Sequence, residues 1–241
     1  MREIGLLTCL VLVLLGLACK PTETEPRPTP RLTDPPNCRL TTECREPSPE
    51  FARTYNDPDA CRGSEMRVCL VPMGWLPKDL VDQLVVYYAS QYNLTLHVLP
   101  AIRLAPGFDK GQMLDADRLR ALFMQAYPPY ANDIEVNLIG LTAIGIYTPE
   151  WPNGSFGQTY PTQGGTMRRH AVLSIFMLDP RNSGQPANNM VRDRRLRVLM
   201  NRSIARGYFG LPENNDPGTL LYQTISSVGQ LDRTDERIPV P

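Results

Sequence analysis

Residues 66–100 read MRVCLVPMGWLPKDLVDQLVVYYASQYNLTLHVLP. The apolar run at 68–71, bounded by Pro72, predicts a strand. Over 77–92, Leu80, Leu84, Val85 and Tyr88 recur at helical spacing. Pro77 suits a first turn, and Asp79 and Asp82 lie where the helix dipole favours acid. A second strand is predicted over 94–99 and stops at Pro100. Outward from this strand-helix-strand unit, 115–127 predicts a second helix with Leu119, Leu122 and Phe123 inward. Segments 134–141, 144–147 and 171–178 read as β-like, and a long helix runs from Asn188 toward Tyr208 and ends at Gly210. Strands and helices alternate, so the expected fold class is α/β, a mixed sheet flanked by helices.

Composition narrows the function. The 241 residues carry 25 Lys+Arg against 25 Asp+Glu, a formal net charge of +0, which argues against a dedicated nucleic-acid binder. At 42% hydrophobic and 21% charged residues the chain has enough apolar material for a real core. Only two histidines are present, His97 and His170, so a three-histidine metal site cannot be built within this chain.

The amino-terminal end reads as a targeting segment. Residues 1–18 hold an apolar run too short to span a bilayer comfortably, of the length of a signal-peptide core. The run ends Leu15-Gly16-Leu17-Ala18-Cys19, which resembles a bacterial lipobox. The resemblance implies cleavage before Cys19, lipid modification of that cysteine, attachment to a membrane and a place in the bacterial cell envelope outside the cytoplasm. Residues 19–65 are then a Pro-rich tether with a Cys-stapled segment, and 66–241 the globular domain. Nine prolines fall between residues 20 and 60, which disfavours helix and suits a semi-extended linker. Setting aside Cys9 and Cys19 leaves Cys38, Cys44, Cys61 and Cys69. An even count in an exported chain favours disulfides, and their three possible connectivities stay open.

The domain resembles the archaemetzincins, zinc-dependent peptidases of the metzincin type. The resemblance is carried by Val71-Pro72, Val98-Leu99-Pro100, Gly111-Gln112 with Ala116 and Leu119, and Leu141-Thr142. It continues through Ile146-Tyr147-Thr148-Pro149, Phe156-Gly157-Gln158, Ala171-Val172-Leu173-Ser174 and Gly210-Leu211. It implies a metzincin-like (zincin-like) domain with a small C-terminal subdomain. In that family a helix bearing HExxHxxGxxH supplies three zinc ligands and a glutamate base. Anchored on Gly210, the pattern places Ser203 and Ile204 at the first histidine and the glutamate, Gly207 at the second histidine and Glu213 at the third ligand. Of these only Glu213 has a ligand's chemistry. Leu221 stands where the family has a methionine, and no cysteine follows Cys69.

The two histidines lie outside that helix and read as core or surface residues. No GxSxG elbow supports Ser174, Ser203, Ser226 or Ser227 as a nucleophile. Arg192, Arg195, Arg202 and Arg206 form one stripe of the long helix, with Arg194 and Arg197 beside it. The stripe reads as a solvated face or, alternatively, as a contact for anionic lipid or an acidic partner. The expectation is therefore a membrane-anchored lipoprotein with no catalytic residues, no metal and no cofactor. Its peptidase-like domain would bind a peptide or protein partner in a groove lined by Ser203, Gly207 and the Phe156-Gly157-Gln158 edge. The alternative is an active zinc metallopeptidase of the envelope whose ligands the sequence does not reveal.

Overall fold

The structure, a computed structural model, describes Cys38 and residues 41–107, 109–161 and 169–239. The signal segment, Cys19 and the first part of the tether lie outside the described residues.

A five-stranded sheet forms the centre. Its strands are β1 (Arg67–Met73), β2 (Leu96–Val98), β5 (Val136–Thr142), β7 (Gly157–Tyr160) and β8 (His170–Ser174), in the order β2-β1-β5-β8-β7. The first four are parallel, and β7 pairs antiparallel with β8 at the edge. A smaller sheet, ordered β3-β4-β6, is made of β3 (Asp109–Lys110), β4 (Met113–Asp115) and β6 (Ile146–Tyr147).

Every residue of β1 and β5 is buried. Parallel strands covered on both faces need continuous apolar runs, as 68–71 supplies. β1 nevertheless runs through Pro72 to Met73, past the stop expected at the proline. The Pro72 carbonyl accepts from the Ile102 N–H, and the Leu70 carbonyl from the Leu99 N–H, so both residues turn toward the β2 side. There β2 has already ended at Val98, and the missing proline N–H interrupts no ladder.

Helices cover both faces. After two short helices, α1 (Thr42–Arg45) and α2 (Pro49–Thr54), the chain forms α3 (Lys78–Tyr92), α4 (Ala116–Ala126), α5 (Pro128–Ala131), α6 (Asn189–Gly207) and α7 (Val228–Arg233). Asn137 of β5 contacts α6, and Gly140, three residues on and so on the opposite face, lies under Phe123 of α4. Tyr88 of α3 donates to Asn201 of α6 at 2.7 Å, which puts these two helices on one face. The segment expected at 171–178 is a strand only to Ser174, followed by a 3-10 turn over Phe176–Leu178.

Residues 41–65, read as the stapled part of the tether, pack into the same core. Pro49 and the Ser48 cap start α2, Phe51 is buried, and Trp75 N–H donates to the Cys44 carbonyl at 2.9 Å. The cysteines stand as two bonded pairs of sequence neighbours, Cys38 with Cys44 and Cys61 with Cys69, with Cα separations of 5.4 and 6.0 Å. No helix of the described residues is long and apolar enough to cross a membrane.

Candidate cleft between α6 and the edge strand

The site is built on the last three turns of α6. This helix is capped by the Asn188 side chain, which accepts from the Val191 N–H, and its interior holds no proline. It ends at Gly207, and the chain reverses at Gly210, whose φ is +66°. Leu211 N–H then donates to the Ala205 carbonyl at 2.9 Å, and the following loop returns along the helix.

That return decides what the motif positions hold. The Ser203 hydroxyl donates to the Leu199 carbonyl at 3.0 Å, one turn back in the helix. Ile204 is fully buried in the core. Gly207 lies against β5, where a Cβ would come within 2.7 Å of the Asn137 side chain, so no larger residue fits without displacing that amide. Glu213 reaches back to two guanidiniums, Arg202 at 3.1 Å and Arg206 at 2.9 Å. A zinc ion needs three or four nitrogen, sulfur or carboxylate donors facing one point. These positions offer a committed hydroxyl, an alkyl group, bare backbone and a carboxylate already held by two cations, and they do not fit the metal. Among the described residues no group of three or more His, Cys, Asp and Glu is placed to hold a metal ion.

Neither histidine lies in the cleft. His170 on β8 is buried, with Nε2 3.1 Å from the Ala131 carbonyl and its ring edge-on to Phe123. Burial first, and the Arg120 charge second, lower its pKa to about 4, so it is a neutral core residue. His97 sits half-buried on β2, on the far side of the sheet from β7.

The arginine stripe is not the solvated face that its spacing suggested. Arg192, Arg195, Arg202 and Arg206 are 1%, 4%, 8% and 9% exposed, so they form neither a solvated face nor a membrane-facing one. Arg195 holds Asp232 through two bonds of 2.7 Å, Arg197 meets Glu236 at 3.3 Å, and Arg194 donates to carbonyls of Leu231, Asp232 and Thr234. The small C-terminal subdomain is accordingly a strap bound along α6 by the helix's own arginines.

Between α6 and β7 opens a cleft of about 620 Å³. Ser203, the edge residues Phe156, Gly157 and Gln158, and Glu213 line it together. Ile204 and Gly207 lie beneath it and do not. A Cβ at Gly157 would lie 2.5 Å from Leu173 Cδ2 and 3.1 Å from the Val172 carbonyl oxygen of β8, so a larger residue there makes the Leu173 side chain shift. The sequence reading missed Arg202 and Arg206 in the floor, Thr159 on β7, and Trp151 in the wall. The four-residue spacing of the two arginines gave their common helix face, but nothing in it gave their burial.

No family model matches the chain, and no curated protein matches it in sequence. Solved structures do match its fold. A zinc-dependent peptidase from Methanocorpusculum labreanum is similar with a TM-score of 0.56 and 18% identity, over 71% of this chain and 95% of that one. Archaemetzincin from Archaeoglobus fulgidus, solved with malonate, has a TM-score of 0.53 and 20% identity over 72% and 95%. Archaemetzincin from Methanopyrus kandleri has a TM-score of 0.55 and 23% identity over 74% and 91%. The fold is archaemetzincin-like.

Proposed function

We propose that the chain is a lipid-anchored envelope protein whose peptidase-like domain binds a peptide or protein segment in the cleft beside β7 and does not hydrolyse it. The reading rests on the motif-helix positions. Hydrolysis of the family's kind needs a metal to lower the pKa of bound water and a carboxylate to take its proton. Ser203, Ile204 and Gly207 provide neither, and Glu213 is occupied by Arg202 and Arg206. The cleft itself remains open beside an edge strand, the geometry in which an extended segment is received along a sheet. Anchoring belongs to the same proposal through the lipobox-like run ending at Cys19, and the two cysteine pairs suit an oxidising compartment.

The test measures zinc in the purified full chain by mass spectrometry, alongside cleavage of a broad peptide library with and without chelator. The expected result is zinc far below one per chain and no chelator-sensitive cleavage. Stoichiometric zinc with chelator-sensitive cleavage would return the protein to the active peptidases.

A further inference from the structure

β7 is the outer strand of the five-stranded sheet, and its pairing with β8 decides which way each of its residues turns its amide and carbonyl. The Ser174 N–H donates to the Phe156 carbonyl at 2.9 Å, so Phe156 and Ser174 stand as a hydrogen-bonded pair. In an antiparallel ladder such pairs alternate with pairs that exchange no bond. Gly157, opposite Leu173, is of the second kind, and it turns its N–H and C=O away from β8 toward the open edge.

One side chain meets both of these outward groups. Ser155 Oγ accepts from the Gly157 N–H at 3.3 Å and donates to the Gly157 carbonyl at 3.0 Å. Ser155 is 8% exposed and lines the cleft together with Gly157. Its main chain is pinned separately, because its N–H donates to the Ile146 carbonyl at 2.8 Å in a bridge to β6. The hydroxyl is therefore the movable part, and a change of rotamer takes it off Gly157. A neighbouring strand of either direction would offer the same two groups there, a carbonyl for the N–H and an N–H for the carbonyl. Ser155 does with one oxygen what a strand does with two atoms. Its bond from the Gly157 N–H is also longer than the usual value of about 2.9 Å.

Building on the peptide-binding reading above, we infer that Ser155 guards the sheet edge at Gly157: a segment entering the cleft displaces the Ser155 hydroxyl and is held there through its own main-chain N–H and C=O. The class of ligand follows from that exchange. At Gly157 the segment is read by its backbone, so its side chains are not selected there, whereas a proline or an N-methylated residue in place of the donor is refused. The guard acts as blocked edges do generally, keeping an outer strand from pairing indiscriminately. Every occupant binds more weakly by the two bonds it must first break.

The experiment uses the full chain in detergent and fluorescence polarisation with a pool of fluorescein-labelled, C-amidated nonapeptides and a matched pool N-methylated at every residue. Ser155→Ala, which clears the hydroxyl from Gly157, is expected to bind the first pool about tenfold more tightly than the parent, as the exchange of two modest hydrogen bonds implies. Binding by Ser155→Ala where the parent shows none is the same result in a stronger form. Ser155→Thr keeps the hydroxyl and should bind as the parent does. The N-methylated pool should gain nothing in Ser155→Ala. Damage to the fold weakens binding, so the sign of the change separates the guard from a structural role. Ser155→Cys, whose thiol is a weak partner for either group, decides the matter if thermal unfolding shows the alanine variant to be misfolded. Unchanged or weaker binding in the folded variant overturns the guard and leaves peptide binding standing. An equal gain for the N-methylated pool does the same, since the variant would then only widen the cleft. No binding of the first pool by parent or variant overturns peptide binding and this inference with it.

Discussion

Gly207 and Asn137 set the limit on what the motif helix can carry. Changing Gly207 to alanine brings two opposed effects. Helix propensity gains roughly 1 kcal/mol over glycine. Against that, the new methyl must displace a buried amide whose Nδ2 donates to the Ser203 carbonyl at 3.2 Å. Overpacking and a lost buried hydrogen bond each cost about 1–3 kcal/mol. Asn137 is 1% exposed and has no solvent to move into, so the clash wins. Gly207→Ala should lower stability in urea by about 2 kcal/mol, and by much less in an Asn137→Ala background. Equal losses in both backgrounds would clear Asn137 of the effect. His170 gives a second prediction at this scale. Its folded-state pKa of about 4 lies below the ordinary 6.5, so between those values the unfolded chain holds a proton that the folded one excludes. The stabilisation is complete above about pH 6.5 and is lost as pH falls toward 4, about 3 kcal/mol in all. His170→Gln removes the titration, and its stability should fall less steeply over that window. Identical slopes in parent and variant would assign the acid sensitivity to other groups.

α6 shows how far an element is legible in sequence. Its start at Asn188 and the apolar side of Leu196, Leu199, Met200 and Ile204 follow from capping and helical spacing, and both are present in the structure. The opposite side misleads, since a row of arginines reads as a wet face until its counter-charges are known. Those counter-charges, Glu213, Asp232 and Glu236, come from the returning strap, and their pairing is a tertiary fact with no local signature. The same reason hid Arg202 and Arg206 from the list of cleft residues. Pro72 is a milder instance: a proline ends a strand by default, and only the position of the neighbouring strand's end excuses it. The strap yields a prediction through the unequal burial of one pair. Arg195 is 4% exposed and Asp232 41%. Asp232→Ala strands a buried cation and should cost about 3 kcal/mol. Arg195→Met leaves the carboxylate to water and should cost clearly less. Thermal or urea unfolding of the two variants ranks them, and the reverse order would mean that Arg195 acts through its packing and its bond to the Leu178 carbonyl.

At the scale of the whole molecule, the proposed anchoring rests on the stretch between Cys19 and the described body. The described body begins at Cys38, whose bond to Cys44 fixes the chain's entry into the core, since the Cys44 and Arg45 carbonyls accept from Trp75 and Leu104 N–H groups. Cys19 lies nineteen residues earlier in a proline-rich stretch that can span at most about 65 Å when extended. A lipidated Cys19 would thus keep Cys38 within that distance of the bilayer. One acyl chain alone binds a membrane marginally and reversibly, and stable attachment takes at least two. The lipobox-like run implies several chains on the one cysteine, and among the described residues no helix supplies a substitute span. On the proposed reading, anchoring depends on a single side chain, that of Cys19. Cys19→Ser is expected to release the protein from membranes or to stall it in unprocessed form. Fractionation followed by a mass measurement distinguishes the cases. A processed Cys19→Ser protein that still sediments with membranes would show that something other than lipid on Cys19 does the holding.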